Sequence, residues 1–426
     1  MKAVTQLLLG LSALLGASAA SAAVIAITGA TVHTLDDQGT LAQGTVLVRD
    51  GVIEAVGTDL ALPADATVID GTGMVLTPGL LAPLSDVGLV EVSGVASTND
   101  QRLKDVAVGP AFSVRHGVNR YSVLFGVART GGVTRALAGP TPGPGVFAGF
   151  GSVLRLDGAP GVVTGPDRIM VAALGEPGAD RAGGSRAQAL QTLLRGFEEA
   201  ARYSRSSDLA RRGLASGFSL PYYDLEALKR VREDDVPLWV HVDRAADIEA
   251  LLAATEDLEL TLVIVGGAEA WRVAPALAAR KIPVVLDPLG NLPESFDRLG
   301  ARLDNATLLH EAGVTIAFNE LTGHEVRELR QYAGNAVAQG VPWDVALAAI
   351  TRVPAALWGE EDRLGRIARG YAADLVLWTG DPLELTSWAR WTMIEGQIFE
   401  PASRQLQLRD RYVEPATRLA PPAPKP

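Results

Sequence analysis

The pattern of hydrophobic and polar positions divides the chain into β-rich ends and an alternating middle. Residues 24–77 contain short runs of Val, Ile and Thr separated by Gly and Asp, with an Asp-Gly pair at Asp50. This pattern predicts short strands joined by tight turns. Similar runs return near the other end, in ADLVLWTG and WTMIEGQIFE. The pattern in residues 24–77 favours a small β-sandwich over a parallel sheet.

The middle of the chain alternates between apolar runs and helical stretches. The clearest runs start about 20 to 33 residues apart and are 238–242, 262–265, 282–286 and 315–318. Apolar runs separated by helices are typical of strands buried on both faces in parallel βα units. Several such units in succession indicate a barrel or a doubly wound sheet.

Four other segments complete this division of the chain. Residues 186–213 and 342–358 are predicted to be helical. Residues 100–165 include Gly- and Pro-rich stretches such as AGPTPGPGVFAGFG, and we interpret them as an excursion or long loop on the scaffold. The Pro-rich end, 413–426, is predicted to be disordered or loosely packed.

The first 22 residues have the features of an export signal. Lys2 precedes an apolar run over residues 7–15, and Ala20-Ser21-Ala22 fits a cleavage site that would leave Ala23 first. A membrane anchor is the alternative, but the run is shorter than the roughly 20 residues needed to span a bilayer. We therefore predict an exported protein, periplasmic in a cell with two membranes, with no membrane insertion after cleavage.

Composition and charge exclude several kinds of partner and catalytic group. The 426 residues carry 38 Lys+Arg against 49 Asp+Glu, a net charge of -11, and removal of Lys2 would make it -12. This acidic balance argues against a nucleic-acid partner, because phosphate binding needs a cationic surface. The chain has no Cys, which excludes disulfides, thiolate metal sites and Cys nucleophiles. It has only five His, so any imidazole metal site must be built from very few residues.

Two segments together resemble a known family. They are GTVLVRDGVIEAVGTDLALPADATVIDGTGMVLTPGLL near the front and VALAAITRVPAALWGEEDRLGRIARGYAADLVLWTGDPLE near the back. In this order they resemble the amidohydrolase superfamily, in its imidazolonepropionase-like branch, and the resemblance extends over about residues 24–412.

The resemblance implies an α/β fold, a (β/α)8 TIM-type barrel with a composite β-sandwich formed by the two ends of the chain. The predicted organisation is a signal peptide over 1–22, the sandwich from 23–77 plus 365–412, the barrel over 78–364 and the Pro-rich tail over 413–426.

The family's metal site is only partly matched. Members use His-x-His after the first barrel strand, two later His and an Asp to hold a Zn-like ion that activates water. Here Leu84 and Asp86 stand at the His-x-His positions, and His241 matches the next family His. On the next strand, Gly266 stands where another His of the family would stand. The resemblance therefore predicts a degenerate site, with His241 and Asp86 as the candidate ligands of at most one divalent metal. A packed or hydrogen-bonded strand-end histidine is the alternative for His241.

The last barrel strand lacks the family's Asp, and Asn319 and Glu320 lie closest to its position. The carboxyl ends of barrel strands carry the chemistry of this fold. The ligand-pocket candidates there are Asp243, Asp287, Glu320 and His324. With His241 and Asp86 they could form an acidic cup for Ca or Mg, or a general acid and base. The alternative is that strand-end Asp residues serve turns and helix caps.

Two functions of different classes follow. Family resemblance implies a hydrolase of non-peptide C–N bonds in a small amide or cyclic amide. The missing ligands favour a weakly active or inactive copy, and the alternative function is a non-catalytic ligand-binding protein or a partner subunit of an active amidohydrolase paralogue. The predicted partners are a small molecule, and a second copy of the chain or such a paralogue.

Overall fold

Two eight-stranded sheets and eleven α-helices make up the part of the chain that the computed structural model describes, which is residues 24–103, 109–211, 217–319, 323–402 and 404–413. The strands are β1 (Val24–His33), β2 (Thr40–Arg49), β3 (Val52–Gly57), β4 (Thr67–Asp70), β5 (Val75–Pro78), β6 (Leu80–Ser85), β7 (Val133–Ala138), β8 (Phe147–Arg155), β9 (Val163–Ala173), β10 (Leu238–Val242), β11 (Leu262–Gly266), β12 (Val284–Leu286), β13 (Ile316–Phe318), β14 (Leu375–Trp378), β15 (Ala389–Ile394) and β16 (Gln397–Phe399). The helices are α1 (Val123–Thr130), α2 (Gly175–Arg181), α3 (Arg186–Arg211), α4 (Tyr222–Glu233), α5 (Ala245–Ala254), α6 (Ala274–Ala279), α7 (Asn305–Glu311), α8 (Leu329–Ala338), α9 (Trp343–Ala348), α10 (Arg352–Leu357) and α11 (Arg404–Val413).

The first sheet joins the two ends of the chain. Its order is β16-β15-β14-β5-β1-β2-β3, with β4 beside β1. Strand β14 lies antiparallel to β5, with Leu375 opposite Pro78 and Trp378 opposite Val75. The β-rich front and back of the chain therefore share one mixed sheet, which confirms the predicted composite of the two ends. The residue bounds of the domains stay a prediction.

The second sheet is a nearly closed barrel in the order β6 to β13. Strands β9 to β13 are parallel neighbours, as the apolar runs and intervening helices predict. Strand β6 is parallel to β7. This confirms the predicted α/β barrel with a second, composite sheet.

One strand of the barrel runs against the others. Strand β8 is antiparallel to both β7 and β9. Its connections span only residues 139–146 and 156–162. A parallel neighbour needs a crossover of about a dozen residues or more, so these short connections require antiparallel pairing. The expectation that residues 100–165 form a loop excursion is thus wrong for β7, α1 and β8.

The barrel closes between its first and last strands through side-chain and loop contacts. The Phe318 N–H donates to the Ala349 carbonyl over 3.2 Å, and the Leu81 N–H donates to the Ile350 carbonyl over 2.8 Å. The Asn319 side chain adds a bond from the end of β13 to Leu84 in β6, 3.1 Å long. The segment around 349–350 therefore bridges the two edge strands.

Large apolar side chains fill the barrel interior. Leu81, Leu84, Val171, Trp239 and Val285 belong to one buried cluster there. Trp239 is fully buried and is among the largest side chains in the core. Aromatic side chains of this size contribute strongly to burial, so the barrel is a packed core and not a pore.

A buried ion network joins the barrel to the first sheet. Arg135 of β7 is completely buried, and its Nε lies 2.6 Å from the Asp374 carboxylate. Its Nη2 lies 2.9 Å from Glu395, which also binds Arg155 at 2.9 Å. We call Arg135, Arg155, Asp374 and Glu395 the junction network.

Two predictions concern segments outside the described residues. The signal peptide, 1–22, lies there, and so does the Pro-rich tail beyond Val413. Within the described ranges, no helix combines the length and the apolar character that crossing a membrane requires.

Candidate functional site

A small cavity lies at the carboxyl ends of strands β10 to β13. Its volume is about 230 Å³, and its floor includes Val265 and Val285. Its polar lining consists of His241, Asp243, Asp287, Arg298 and Asn319. We call it the strand-end cavity. This is the face of a barrel at which active sites are found.

His241 enters the cavity from β10. In the parallel ladder it lies between Ala173 of β9 and Val265 of β11. Burial, together with repulsion from Arg181, lowers the pKa of His241 to about 4. The imidazole is therefore neutral at pH 7. No hydrogen bond or ion pair within the described residues occupies its ring nitrogens, so both are free to meet a ligand.

Asp243 comes directly after β10 and is held by the next turn of the chain. Its Oδ1 accepts a hydrogen bond from the Ala268 N–H over 3.0 Å. Burial raises the pKa of its carboxyl, although this hydrogen bond and Arg298 act in the opposite direction. The carboxylate is thus a fixed acceptor whose proton affinity is increased by its surroundings.

Gly266 explains how Asp243 fits. It has a φ of +91°, and a Cβ added to it would lie 2.6 Å from Asp243 Oδ1. Asp243 therefore occupies the space beside the backbone where a side chain at 266 would begin. A histidine at this position would require both a strained backbone and a displaced carboxylate.

Asp287 and Arg298 line the other part of the cavity. Asp287 follows β12 and accepts a hydrogen bond from the Leu289 N–H over 2.8 Å. Burial raises the pKa of Asp287, while this N–H and the Arg298 charge oppose the shift. Arg298 Nη1 donates to Glu294 over 3.0 Å. Its Nε is buried without a hydrogen-bond partner in the described part of the chain.

Asn319 is fixed by the closure of the barrel. Its Oδ1 accepts the Leu84 N–H, which orients the amide and leaves Nδ2 as the group available to donate. No hydrogen bond among the described residues uses this Nδ2. The amide stands at the end of the last strand, close to the position of the family's Asp, and it cannot act as a general base.

The cavity unites only some of the predicted site residues. His241, Asp243 and Asp287 line it together. Asp86 is buried in a turn after β6, where its carbonyl accepts the Leu89 and Val90 N–H groups, and it is not among the lining residues. His324 lines a different cavity. Glu320 lies outside the described residues.

Sequence reasoning did not select Arg298 as a site residue. It belongs to a short 3-10 turn, Phe296–Arg298, that follows the strand by a dozen residues. No strand-end pattern marks such a position, because the loop itself returns the side chain to the cavity. Gly266 was visible in the sequence as a missing ligand, but its role in accommodating Asp243 required the structure.

The residues at the cavity do not fit the family's metal centre. Leu84 is buried in the barrel interior, and a Cβ on Gly139 would lie 2.2 Å from its Cδ1, so it packs closely against the next strand. Leucine and glycine provide no ligand atoms in their side chains. Across the described ranges, no group of three or more His, Asp or Glu side chains is placed to hold a metal ion. A closed or catalytic zinc site needs at least three protein ligands.

Comparisons with known proteins agree with the barrel. A model described as the amidohydrolase family matches residues 320–399. Amidohydrolase tasK of Hapsidospora irregularis is 26% identical over 423 residues, which is 90% of this chain and 42% of the relative. The chain thus spans less than half the length of that relative.

Solved structures agree as well. The crystal structure of an amidohydrolase from Thermotoga maritima MSB8 is similar with a TM-score of 0.79 and 26% identity, over 88% of this chain and 100% of that one. Molinate hydrolase is similar in fold with a TM-score of 0.56 and 17% identity, over 95% and 99% of the two chains. The fold is thus an α/β barrel with a second sheet, as in these structures. In sequence and in fold the chain is similar to the amidohydrolase superfamily.

Proposed function

We propose that this chain binds a small amide or cyclic amide in the strand-end cavity and has lost the metal-dependent hydrolysis of its superfamily. We place it in the imidazolonepropionase-like branch. The observation that carries the proposal is the pair of replacements at Leu84 and Gly266, with Asp243 filling the space beside Gly266. A metal that activates water needs several fixed donors and an open position.

The lining supports recognition of an amide. Asn319 Nδ2 and the Arg298 guanidinium can donate to a carbonyl oxygen, and the carboxylates of Asp243 and Asp287 can accept from an amide N–H. The neutral His241 ring can do either. An apolar floor with a few convergent polar groups is typical of small-molecule sites.

Metal content is the first test. We expect the purified chain, measured by mass spectrometry after exposure to Zn, Mn and Ca, to hold much less than one metal per chain. His241→Asn is the informative variant, and His116→Asn, at an exposed position outside the cavity, is the matched control. A stoichiometric metal that is lost only in the His241 variant would contradict the proposal and support metal-dependent hydrolysis instead.

Ligand binding is the second test. A panel of small amides, lactams and imidazolones is screened by thermal shift and confirmed by calorimetry. We expect at least one compound to bind without being hydrolysed. His241→Asn and Asp287→Asn should each weaken it about tenfold, the loss typical of one buried polar contact. Hydrolysis of a bound compound that requires added metal would refute the loss of metal-dependent activity.

A partner role is a second candidate, supported by one observation. Amidohydrolase tasK is more than twice as long as the stretch it shares with this chain, since that stretch is 42% of its length. A unit of this kind could work beside a second unit. Co-purification of an active amidohydrolase with the chain from native extract would favour this role, whereas a monodisperse homo-oligomer would count against it.

We also propose that the chain is exported to the periplasm, on the basis of the signal-like residues 1–22. Amino-terminal sequencing of protein from a periplasmic fraction should begin at Ala23. Recovery of uncleaved protein in the cytoplasm alone would overturn this.

A further inference from the structure

A second and larger cavity is separate from the strand-end cavity. It is a groove of about 920 Å³ between the loop after β6, helix α1 and the start of α11. None of its lining residues lines the strand-end cavity. Four arginines line it, which are Arg120, Arg129, Arg327 and Arg404, so we call it the basic groove.

Positive charge predominates in the groove. The four arginines face two acidic residues, Glu91 and Asp157, which leaves a net charge of +2 before His324 is counted. The whole chain has a net charge of -11. A concentrated positive surface on an otherwise acidic protein attracts an anionic partner.

The two acidic residues are already engaged. Glu91 accepts hydrogen bonds from Asn119 over 2.8 Å and from Ser122 over 3.1 Å. Asp157 lies 2.5 Å from Arg155 Nε, which belongs to the junction network. Glu91 therefore keeps its negative charge among neutral donors, whereas Asp157 is paired with Arg155 outside the groove and also attracts Arg129. Within the described residues, Arg120, Arg327 and Arg404 make no ion pair with either acidic residue.

Two of the arginines are held in place by aromatic rings. The Arg120 guanidinium lies 4.0 Å from the Tyr121 ring centroid and donates to the Gly158 carbonyl over 3.1 Å. Arg129 lies 4.3 Å from the Phe399 ring centroid. Arg120 Nη2 also donates to the Tyr121 hydroxyl, and Arg129 Nη1 donates to the Leu156 carbonyl. Each stacked guanidinium therefore keeps only part of its N–H groups for a carboxylate, but it is already ordered and loses little entropy when one binds.

The other basic groups of the groove are unpaired or weakly paired. Arg404 and His324 make no hydrogen bond or ion pair with the described residues. Arg327 has one long contact, 3.5 Å to Glu328. These side chains can therefore turn toward a ligand without breaking a strong contact.

Exposed apolar side chains lie among these charges. Tyr121 is 74% exposed and Val123 is 73% exposed, and both line the groove. The volume lies near the upper limit of the roughly 300–1,000 Å³ typical of small-molecule sites. An open groove of this size, with charged and apolar patches side by side, suits an extended chain better than a compact molecule.

We propose that the basic groove binds an extended acidic peptide segment that carries apolar side chains between its carboxylates. Its carboxylates would pair with the arginines as charge-assisted hydrogen bonds, and its apolar side chains would pack on Tyr121 and Val123. This site shares no residue with the strand-end cavity. The peptide proposal therefore does not depend on the proposed function.

Fluorescence anisotropy tests the proposal with a fluorescein-labelled hexapeptide of alternating Glu and Leu and the matching peptide of Gln and Leu. The Glu peptide should bind, and the Gln peptide should bind at least about tenfold more weakly. Raising the NaCl concentration should weaken binding of the Glu peptide, because exposed charge pairs are screened by salt. Equal binding of the two peptides would overturn the proposal, as would no binding of either.

Variants locate the site. R327Q/R404Q should weaken the Glu peptide at least about tenfold, and Tyr121→Ala is a second variant that tests the apolar contact. R409Q is the matched control on the same helix, because Arg409 binds Asp410 at 2.6 Å and does not line the groove. All variants should keep the circular dichroism spectrum of the wild type. An equal loss in R409Q would refute the assignment to the groove.

Competition with citrate separates a peptide from a small anion. We expect citrate to displace the Glu peptide only at concentrations at which an equal ionic strength of NaCl does so. Displacement by citrate far below that concentration would show a small-anion site, and the peptide assignment would then be wrong.

Discussion

The strand-end cavity and the junction network both bury charged groups, but they use them differently. In the junction network Arg135 is completely buried and is matched by the carboxylates of Asp374 and Glu395 at 2.6 and 2.9 Å. In the cavity, the pKa of His241 is lowered, and that of Asp243 is raised, chiefly by burial and not by a matching partner. Matched charges hold elements together, whereas unmatched polar groups with shifted pKa values in a cleft are candidates for ligand contact.

Removing the central cation of the junction network is expected to have the largest effect. Arg135→Met leaves two carboxylates at the sheet junction without their buried partner, and should lower the free energy of unfolding by about 3–5 kcal/mol. Urea denaturation measures this loss. Arg49→Met is the control, since Arg49 and Glu54 form an exposed pair 3.1 Å apart that should contribute at most about 1 kcal/mol. Similar losses in the two variants would remove the distinction between matched burial and surface pairing.

Restoring a family histidine in the cavity should destabilise the protein. Gly266→His forces a side chain into a backbone with φ of +91° and against Asp243, with an expected loss of about 3 kcal/mol. Gly313→His is the control, because Gly313 has φ of +84° but nothing within 4 Å of an added Cβ. Both variants strain the backbone, but only the Gly266 variant adds a clash. The difference between their losses of stability, measured by thermal and urea unfolding, therefore reports the clash. A Gly266 variant as stable as the wild type, with bound metal, would mean that the cavity still accommodates the family's site.

The pH dependence of stability tests the burial of His241. Its pKa falls from 6.5 in the unfolded chain to about 4 in the folded protein. Below pH 6.5 the unfolded state takes up a proton that the folded state does not, so stability is lost as pH falls from 6.5 toward 4. Above pH 6.5 this contribution is constant. The loss amounts to about 2–3 kcal/mol.

Urea denaturation at pH 7.5 and 4.5 measures this difference, which His241→Asn should reduce. Proton NMR is a direct check, because the chain has only five His and the resonance of His241 is the one absent from the variant. A pKa near 6.5 for the His241 imidazole would show that burial in the strand-end cavity does not lower it. The contrast between the cavity and the junction network would then be wrong.

The smallest expected effect is at the barrel closure. Asn319→Ala removes the acceptor of the Leu84 N–H and should cost about 1–2 kcal/mol. Hydrogen exchange should show faster exchange at the Leu84 amide. Asn335→Ala is the control, because Asn335 donates to Gln331 on an exposed helix surface over 2.8 Å. Slow exchange at Leu84 in the Asn319 variant would mean that another group satisfies this amide.

The sequence supports the parallel part of the barrel better than the rest. The run LWVHV is apolar and flanked by helical stretches, and it forms β10 as predicted. Strand β8 was not recognised, because Gly and Pro around it suggested a loop, and its antiparallel direction depends on short connections on both sides. The local sequence pattern therefore predicts that a strand forms more reliably than it predicts which strand pairs with it and in which direction.

The same limit applies to the site. His241, Asp243 and Asp287 each follow or end an apolar run, so their position at the barrel mouth could be predicted. Arg298 reaches the cavity through a loop, and the match of Asp243 to Gly266 depends on three-dimensional spacing of a few ångströms. Neither leaves a signal in the one-dimensional pattern.

The short connections around β8 also bear on how the barrel assembles. Strands β7, β8 and β9 are linked through eight and seven residues, whereas the bond that closes the barrel joins Leu84 and Asn319, which are 235 positions apart. Loop-closure entropy grows with the logarithm of loop length, so the long closure costs about 3 kcal/mol more than either short one. The three-stranded meander can therefore nucleate folding as a local unit, and the seam between β6 and β13 should form last and open first.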